Sequence, residues 1–222
     1  MPTAWWQRLR PAQRAEYEQS VRLTRAPLRQ LPDPAAARDA LDALARALAR
    51  DERPRVEQVC ADIARLLCGA AAAPPVAVRV AGTRPSEARG ELHGLYELPS
   101  GTAPPRITVW MRTAQRRDVV KPRTFLRVLL HEIVHHLDVT VLELPSSFHT
   151  PGFFQRESHL MRALTSRDSP PPRQRTSAGE SDPPGPTPEE GIAAVRSVLA
   201  RLRARESGES DDGTRPRGPR NR

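Results

Sequence analysis

The chain predicts an α+β fold in which N-terminal helices precede a small, about three-stranded sheet and a helix bearing a His-Glu-x-x-His motif. Three observations carry this expectation. Apolar residues recur at helical spacing through the first 70 residues, short β-prone runs bounded by Pro and Gly lie between 76 and 110, and a long apolar run beginning at Phe125 holds His131 and His135. The 222 residues include 24 prolines and only 4% aromatics, so one modest domain with appendages fits better than a single large core.

The elements follow in order. Trp5 and Trp6 precede a helix expected over 12–28, with Tyr17, Val21 and Leu28 set among charges. A second helix over 35–49 places Leu41, Leu44, Ala45 and Leu48 on one face, with Asp33 and Pro34 as cap and first turn. Pro54 opens a third, carrying Val56, Val59, Ile63, Leu66 and Leu67, and Gly69 is positioned to end it. Residues 76–80 form the first strand, 82–85 a turn, 90–98 a second strand, and 99–105 a loop. The third strand, 107–110, serves either as an edge that pairs with an extended peptide or as a core strand. A basic connector over 113–122 then enters the motif helix, with Pro122 suited to its first turn.

Within that helix, His131 and His135 are four apart and project from one face, so a single ion can reach both. Glu132 lies beside them without being a ligand. Two neutral nitrogens to hold an ion, with a carboxylate at its open position, are what a zinc hydrolase requires. The bland alternative is a buried helix with incidental histidines, but two His and a Glu are costly in so apolar a segment without a partner.

Two helical ligands leave such a site incomplete. His149 and Glu157 are the candidates for the third position, with His149 favoured because it stands just before the next helix, 152–164, whose cap and first residue are Thr150 and Pro151. His136 points about 100° away from His135, toward solvent or a carbonyl. His159 reads as an ordinary polar position. A second electrophile would have to come from Tyr96 or His159.

These residues carry a family resemblance. Leu129-Leu130-His131-Glu132-Ile133-Val134-His135-His136, followed by Phe148-His149-Thr150-Pro151-Gly152-Phe153, resembles the SprT-like group of small zincins. Their pattern is a His-Glu-x-x-His helix, a short loop, and a third His followed by Gly or Pro and an aromatic; Thr150 stands where Gly is usual. Gly90-Glu91-Leu92-His93-Gly94-Leu95-Tyr96 and Arg106-Ile107-Thr108-Val109-Trp110 resemble the strands preceding the active-site helix there. The resemblance spans residues 75–166. It implies a zincin-like core, Zn2+ held by His131, His135 and His149, and Glu132 as the general base of a zinc-dependent metallopeptidase acting on a protein or peptide. The alternative is a non-catalytic zinc-binding protein of the same fold, with nucleic-acid association as a minority reading because some SprT-like proteins act at DNA. A helical interaction protein with an accidental motif is the third class.

The organisation expected is an N-terminal helical region (1–70), a SprT-like domain (71–166), a disordered linker (167–186), a short amphipathic helix (187–206) and a disordered tail (207–222). The formal charge of +9 comes almost wholly from Arg and is spread along the chain, so no single nucleic-acid patch stands out. No segment approaches the roughly 20 apolar residues of a membrane span. The first residues lack an apolar stretch of signal-peptide length, and Cys60 and Cys68 are too far apart on one helix for a disulfide. The expected compartment is the cytoplasm.

Overall fold

The computed structural model describes residues 4–87, 90–99 and 103–166. The expected linker, amphipathic helix and tail lie outside the described residues. Those described form a mixed α+β arrangement of six helices, one three-stranded sheet and a two-stranded hairpin.

The chain begins with α1 (Ala4–Arg8) and α2 (Pro11–Arg22). α2 stops short of the expected residue 28. Pro27 has no N–H to continue the helical ladder, and the carbonyls of Ser20 and Leu23 are taken by the Arg156 guanidinium instead. α3 (Pro34–Ala49) opens as expected, with the Asp33 side chain accepting the Ala35 N–H at 2.9 Å and Pro34 in the first turn.

α4 (Arg53–Ala71) runs through Gly69. Its left-handed closing residue is Ala72, at φ 51°, not the expected glycine. The Ala73 and Ala72 N–H groups close back on the Cys68 and Gly69 carbonyls at 2.9 and 3.2 Å, and this bonding holds an alanine where glycine is usual.

β1 (Ala77–Thr83) extends into the first half of the expected turn, because Ala81 and Thr83 find partners in Trp110 and Arg112 of β5 (Arg106–Arg112). The expected second strand is two pieces. β3 (Gly90–Glu91) pairs with β2 (Ser86–Glu87), and β4 (Gly94–Glu97) pairs antiparallel with β5. The sheet order is β1-β5-β4, with β1 parallel to β5. β5 is therefore central, and the edge beside the site is β4; the edge reading of 107–110 is corrected. Its unbroken buried run, Ile107 to Met111, is what a strand covered on both faces requires.

α5 (Pro122–Thr140) and α6 (Pro151–Thr165) complete the described fold. α4 packs on β1 and α5 on β4 and β5, while α3 touches α4, α5 and α6. The core they enclose includes Leu44, Ile63, Leu67, Ile107, Val109, Phe125, Leu129, Ile133 and Phe153. Cys60 and Cys68 are free and buried. Among the described residues no helix is long and apolar enough to cross a membrane.

Candidate metal centre

α5 is buried around most of its circumference, with Phe125, Leu129, Leu130, Ile133, Val134 and Leu137 in the core. Its remaining stripe, His131 and His135, faces the loop that connects it to α6. That loop returns His149 over the helix because Thr150 caps α6, accepting the Phe153 N–H at 3.1 Å, with Pro151 as first helical residue.

His131, His135 and His149 lie close enough to bind one metal ion, with one nitrogen from each within 4.8 Å of the others. The Nε2 atom of His149 is 3.0 Å from Nε2 of His131 and 3.0 Å from Nε2 of His135. Phe153 floors the trio, its ring centroid 4.8, 4.7 and 4.9 Å from those of His131, His135 and His149.

The outer nitrogens decide what the inner ones can do. Nδ1 of His131 is 3.2 Å from the Glu157 carboxylate, which only accepts, so this nitrogen carries the hydrogen. Nδ1 of His135 is 2.8 Å from Ser147 Oγ, whose own hydrogen goes to Asp138 at 3.0 Å. The Ser147 oxygen is then an acceptor, and His135 also donates outward from Nδ1. In these neutral tautomers Nε2 of both rings is a bare lone pair aimed at His149. Lone pairs 3.0 Å apart repel unless a cation or a proton sits among them. Zn–N bonds of about 2.0 Å place tetrahedral ligand nitrogens roughly 3.3 Å apart, so the donor set fits a small divalent ion.

Glu157, the other sequence candidate for the third position, sits outside the trio and orients His131 from behind. Such carboxylate–histidine contacts fix the ring and raise its basicity. Arg127 approaches the other Glu157 oxygen at 3.5 Å. Behind His135 the support runs deeper: Arg156 holds Asp138 through two hydrogen bonds, Nε to Oδ1 at 2.8 Å and Nη2 to Oδ2 at 2.7 Å. Both side chains are fully buried. Asp138, Ser147 and Arg156 were not singled out from sequence. A lone Asp in the apolar run of α5 was the available signal, since such a charge needs a buried partner.

Glu132 is buried at 5% exposure, beside Gly94 of β4. Burial pushes its carboxyl up to about 7, the Glu157 charge adds to this, and the His131 charge and Tyr96 backbone N–H pull the other way. A carboxylate titrating there is poised to exchange protons at neutral pH. The two suggested electrophiles have other partners: Tyr96 Oη meets His136 Nδ1 at 3.2 Å, and His159 Nδ1 accepts the Ala26 N–H at 3.2 Å. His136 is fully buried and bonds the Pro74 carbonyl at 2.9 Å, so of its two expected surroundings it has the carbonyl.

The fold and site define a mixed α+β domain with a three-histidine cluster able to hold a metal ion and a buried carboxylate alongside. No protein-family model, curated protein or solved structure matches the chain.

Proposed function

We propose that this protein is a zinc-dependent metallopeptidase of the SprT-like zincin type, with His131, His135 and His149 as zinc ligands and Glu132 as general base. The observation that carries the reading is the convergence of three Nε2 atoms whose outer nitrogens are, for two of the rings, tied to hydrogen-bond acceptors. Nitrogen-only donors favour zinc over hard, oxygen-seeking cations.

Zinc held there by His131, His135 and His149 would supply a Lewis acid for the scissile carbonyl and for the attacking water. Glu132 would then accept a proton from the water and return it to the leaving nitrogen. Burial of Glu132, which lifts its pKa toward neutrality, matches a group that must take and give a proton in one cycle. β4 pairs with β5 on one side and with no other strand among the described residues, so its second edge can receive an extended peptide beside Glu132. Phe154, 49% exposed with its ring centroid 6.0 Å from that of His149, offers that peptide an apolar wall. Two buried free thiols accord with a reducing, cytoplasmic setting.

The test has two stages. Purified protein should contain stoichiometric zinc; its absence after zinc-replete expression would falsify the metal assignment. Wild type should then cleave casein or a peptide library while Glu132→Gln retains zinc and does not. If both are inert, the protein binds zinc without turnover.

A further inference from the structure

The loop that carries His149 is not held by its own backbone alone. Between the end of α5 and the start of α6, Glu143 and Ser147 adopt φ values of 56° and 39°. Residues with a Cβ occupy that left-handed region at an energetic penalty, so further contacts must hold the turn. Within the loop the Ser147 N–H bonds the Leu144 carbonyl at 3.0 Å, and at Ser146 and Ser147 α2 adds more. The Glu16 carboxylate accepts the Ser146 N–H at 2.6 Å, the Ser146 hydroxyl at 2.7 Å and the Ser147 N–H at 3.2 Å. One residue on, the Tyr17 ring meets Phe148 at 5.8 Å, and one helical turn on, Ser20 Oγ lies 2.8 Å from Thr150 Oγ1. Residues 146, 147, 148 and 150 thus each touch α2, while His149 turns its ring toward the other histidines and Ser147 keeps its hydroxyl on His135.

We propose that α2 is a clamp on the metal centre and that Glu16 is a positioning residue for two of its ligands. Through Ser146 and Ser147 it fixes the approach of His149. Through the Ser147 backbone it also sets the hydroxyl that orients His135. Glu16 touches neither ligand and acts only through the loop. Its carboxylate gathers three donors, the Ser147 N–H being shared with the Leu144 carbonyl, and charge-assisted bonds of this kind are geometrically restrictive as well as strong. The inference rests on the metal-binding half of the proposed function and is independent of peptide hydrolysis.

The test uses the full chain, both metal-loaded and metal-stripped. Glu16→Ala should raise the zinc dissociation constant about tenfold in chelator competition, the low end of the effect of removing a ligand's supporting contact. It should also change the visible absorption bands of the cobalt-substituted protein. Because loss of the clamp weakens binding, the gap in melting temperature between loaded and stripped protein should shrink. An unchanged affinity and cobalt spectrum, with both melting temperatures lowered equally, would overturn the proposal and leave Glu16 a purely structural residue. If Glu16→Ala does not fold, Ser146→Ala at an exposed position removes one of the three contacts and is read in the same way. Wild-type protein that binds no metal would remove the clamp together with the metal reading; wild type that binds while Glu16→Ala binds equally well removes the clamp alone.

Discussion

The carboxylate of Glu132 fills the space into which a side chain at Gly94 would project, its Cγ lying only 2.8 Å from an ideal Cβ built there. The β4 strand approaches α5 this closely because residue 94 has no side chain. Alanine at this position must displace Glu132 from its Cγ outward, and because a side chain rather than backbone gives way, the fold accommodates it. Gly94→Ala should therefore retain zinc and melt near the wild-type temperature yet lose about a hundredfold in peptide cleavage, the scale expected for an ångström of misplacement. Gly82→Ala, with nothing within 4 Å, serves as the matched control. Gly152→Ala behaves differently, since its neighbours are the backbone carbonyls of Ser20, Val21 and Leu23, which cannot move without parting α2 from α6.

Replacement of the two sequence candidates for the third ligand should separate their roles. His149→Ala removes one of the three convergent nitrogens and should strip zinc on dialysis. Glu157→Gln keeps the trio but exchanges the carboxylate behind His131 for a weaker acceptor, so zinc should remain bound with an affinity about tenfold lower. Metal analysis after dialysis, followed by chelator competition, distinguishes the two. Retention of zinc by the His149 variant and its loss from the Glu157 variant would reverse the assignment.

Local pattern made part of this site legible, and distance hid the rest. The His131–His135 spacing and the Thr150–Pro151 cap are written within a few consecutive residues, so helical geometry alone places them. The position of β5 at the centre of its sheet depends on pairing with β1 and β4, and no alternation within 107–110 distinguishes a central strand from an edge. The supports are more remote still. Glu157 lies 26 residues from His131, and Ser20 lies 130 from Thr150. Ala72 adopts the left-handed closing position of α4 because Cys68 and Gly69 supply the acceptors, and an alanine carries no compositional mark of that role.

Metal affinity should depend on pH through His131. Burial lowers its basicity, but the Glu157 hydrogen bond and the Glu132 and Glu157 charges outweigh it and leave the ring above its ordinary pKa. Burial and neighbouring charge push His149 down to about 4 and His135 well below the ordinary range. In the metal-free protein the contested proton therefore sits on His131, where its Nε2 faces His149. With the folded-state pKa raised, this proton is held at low pH and released only as pH rises through that value. Zinc must displace it on the acid side, so the dissociation constant should fall about tenfold per pH unit there and level off above. Competition titrations between about pH 5 and 8 cover the range in which histidine titrates. Glu157→Gln removes the main upward influence and should move the break to lower pH; a profile without a break would count against His131 as a ligand.

The buried pair behind His135 should matter more when broken than when replaced. Asp138 and Arg156 are both fully buried and joined by two hydrogen bonds, while the guanidinium also reaches the Ser20 carbonyl at 3.0 Å and Ser20 Oγ at 3.0 Å. Asp138→Leu alone strands the guanidinium and should lower the unfolding free energy by about 3–5 kcal/mol, whereas removing both charges restores much of that loss because desolvation offsets most of the attraction. Denaturant titration of Asp138→Leu and of Asp138→Leu/Arg156→Met measures both effects. Zinc affinity should not recover with stability, since neither variant returns an acceptor to Ser147, and the hydroxyl is then free to point its hydrogen at His135. A double variant that regains both stability and wild-type zinc affinity would show that Asp138 serves the fold alone.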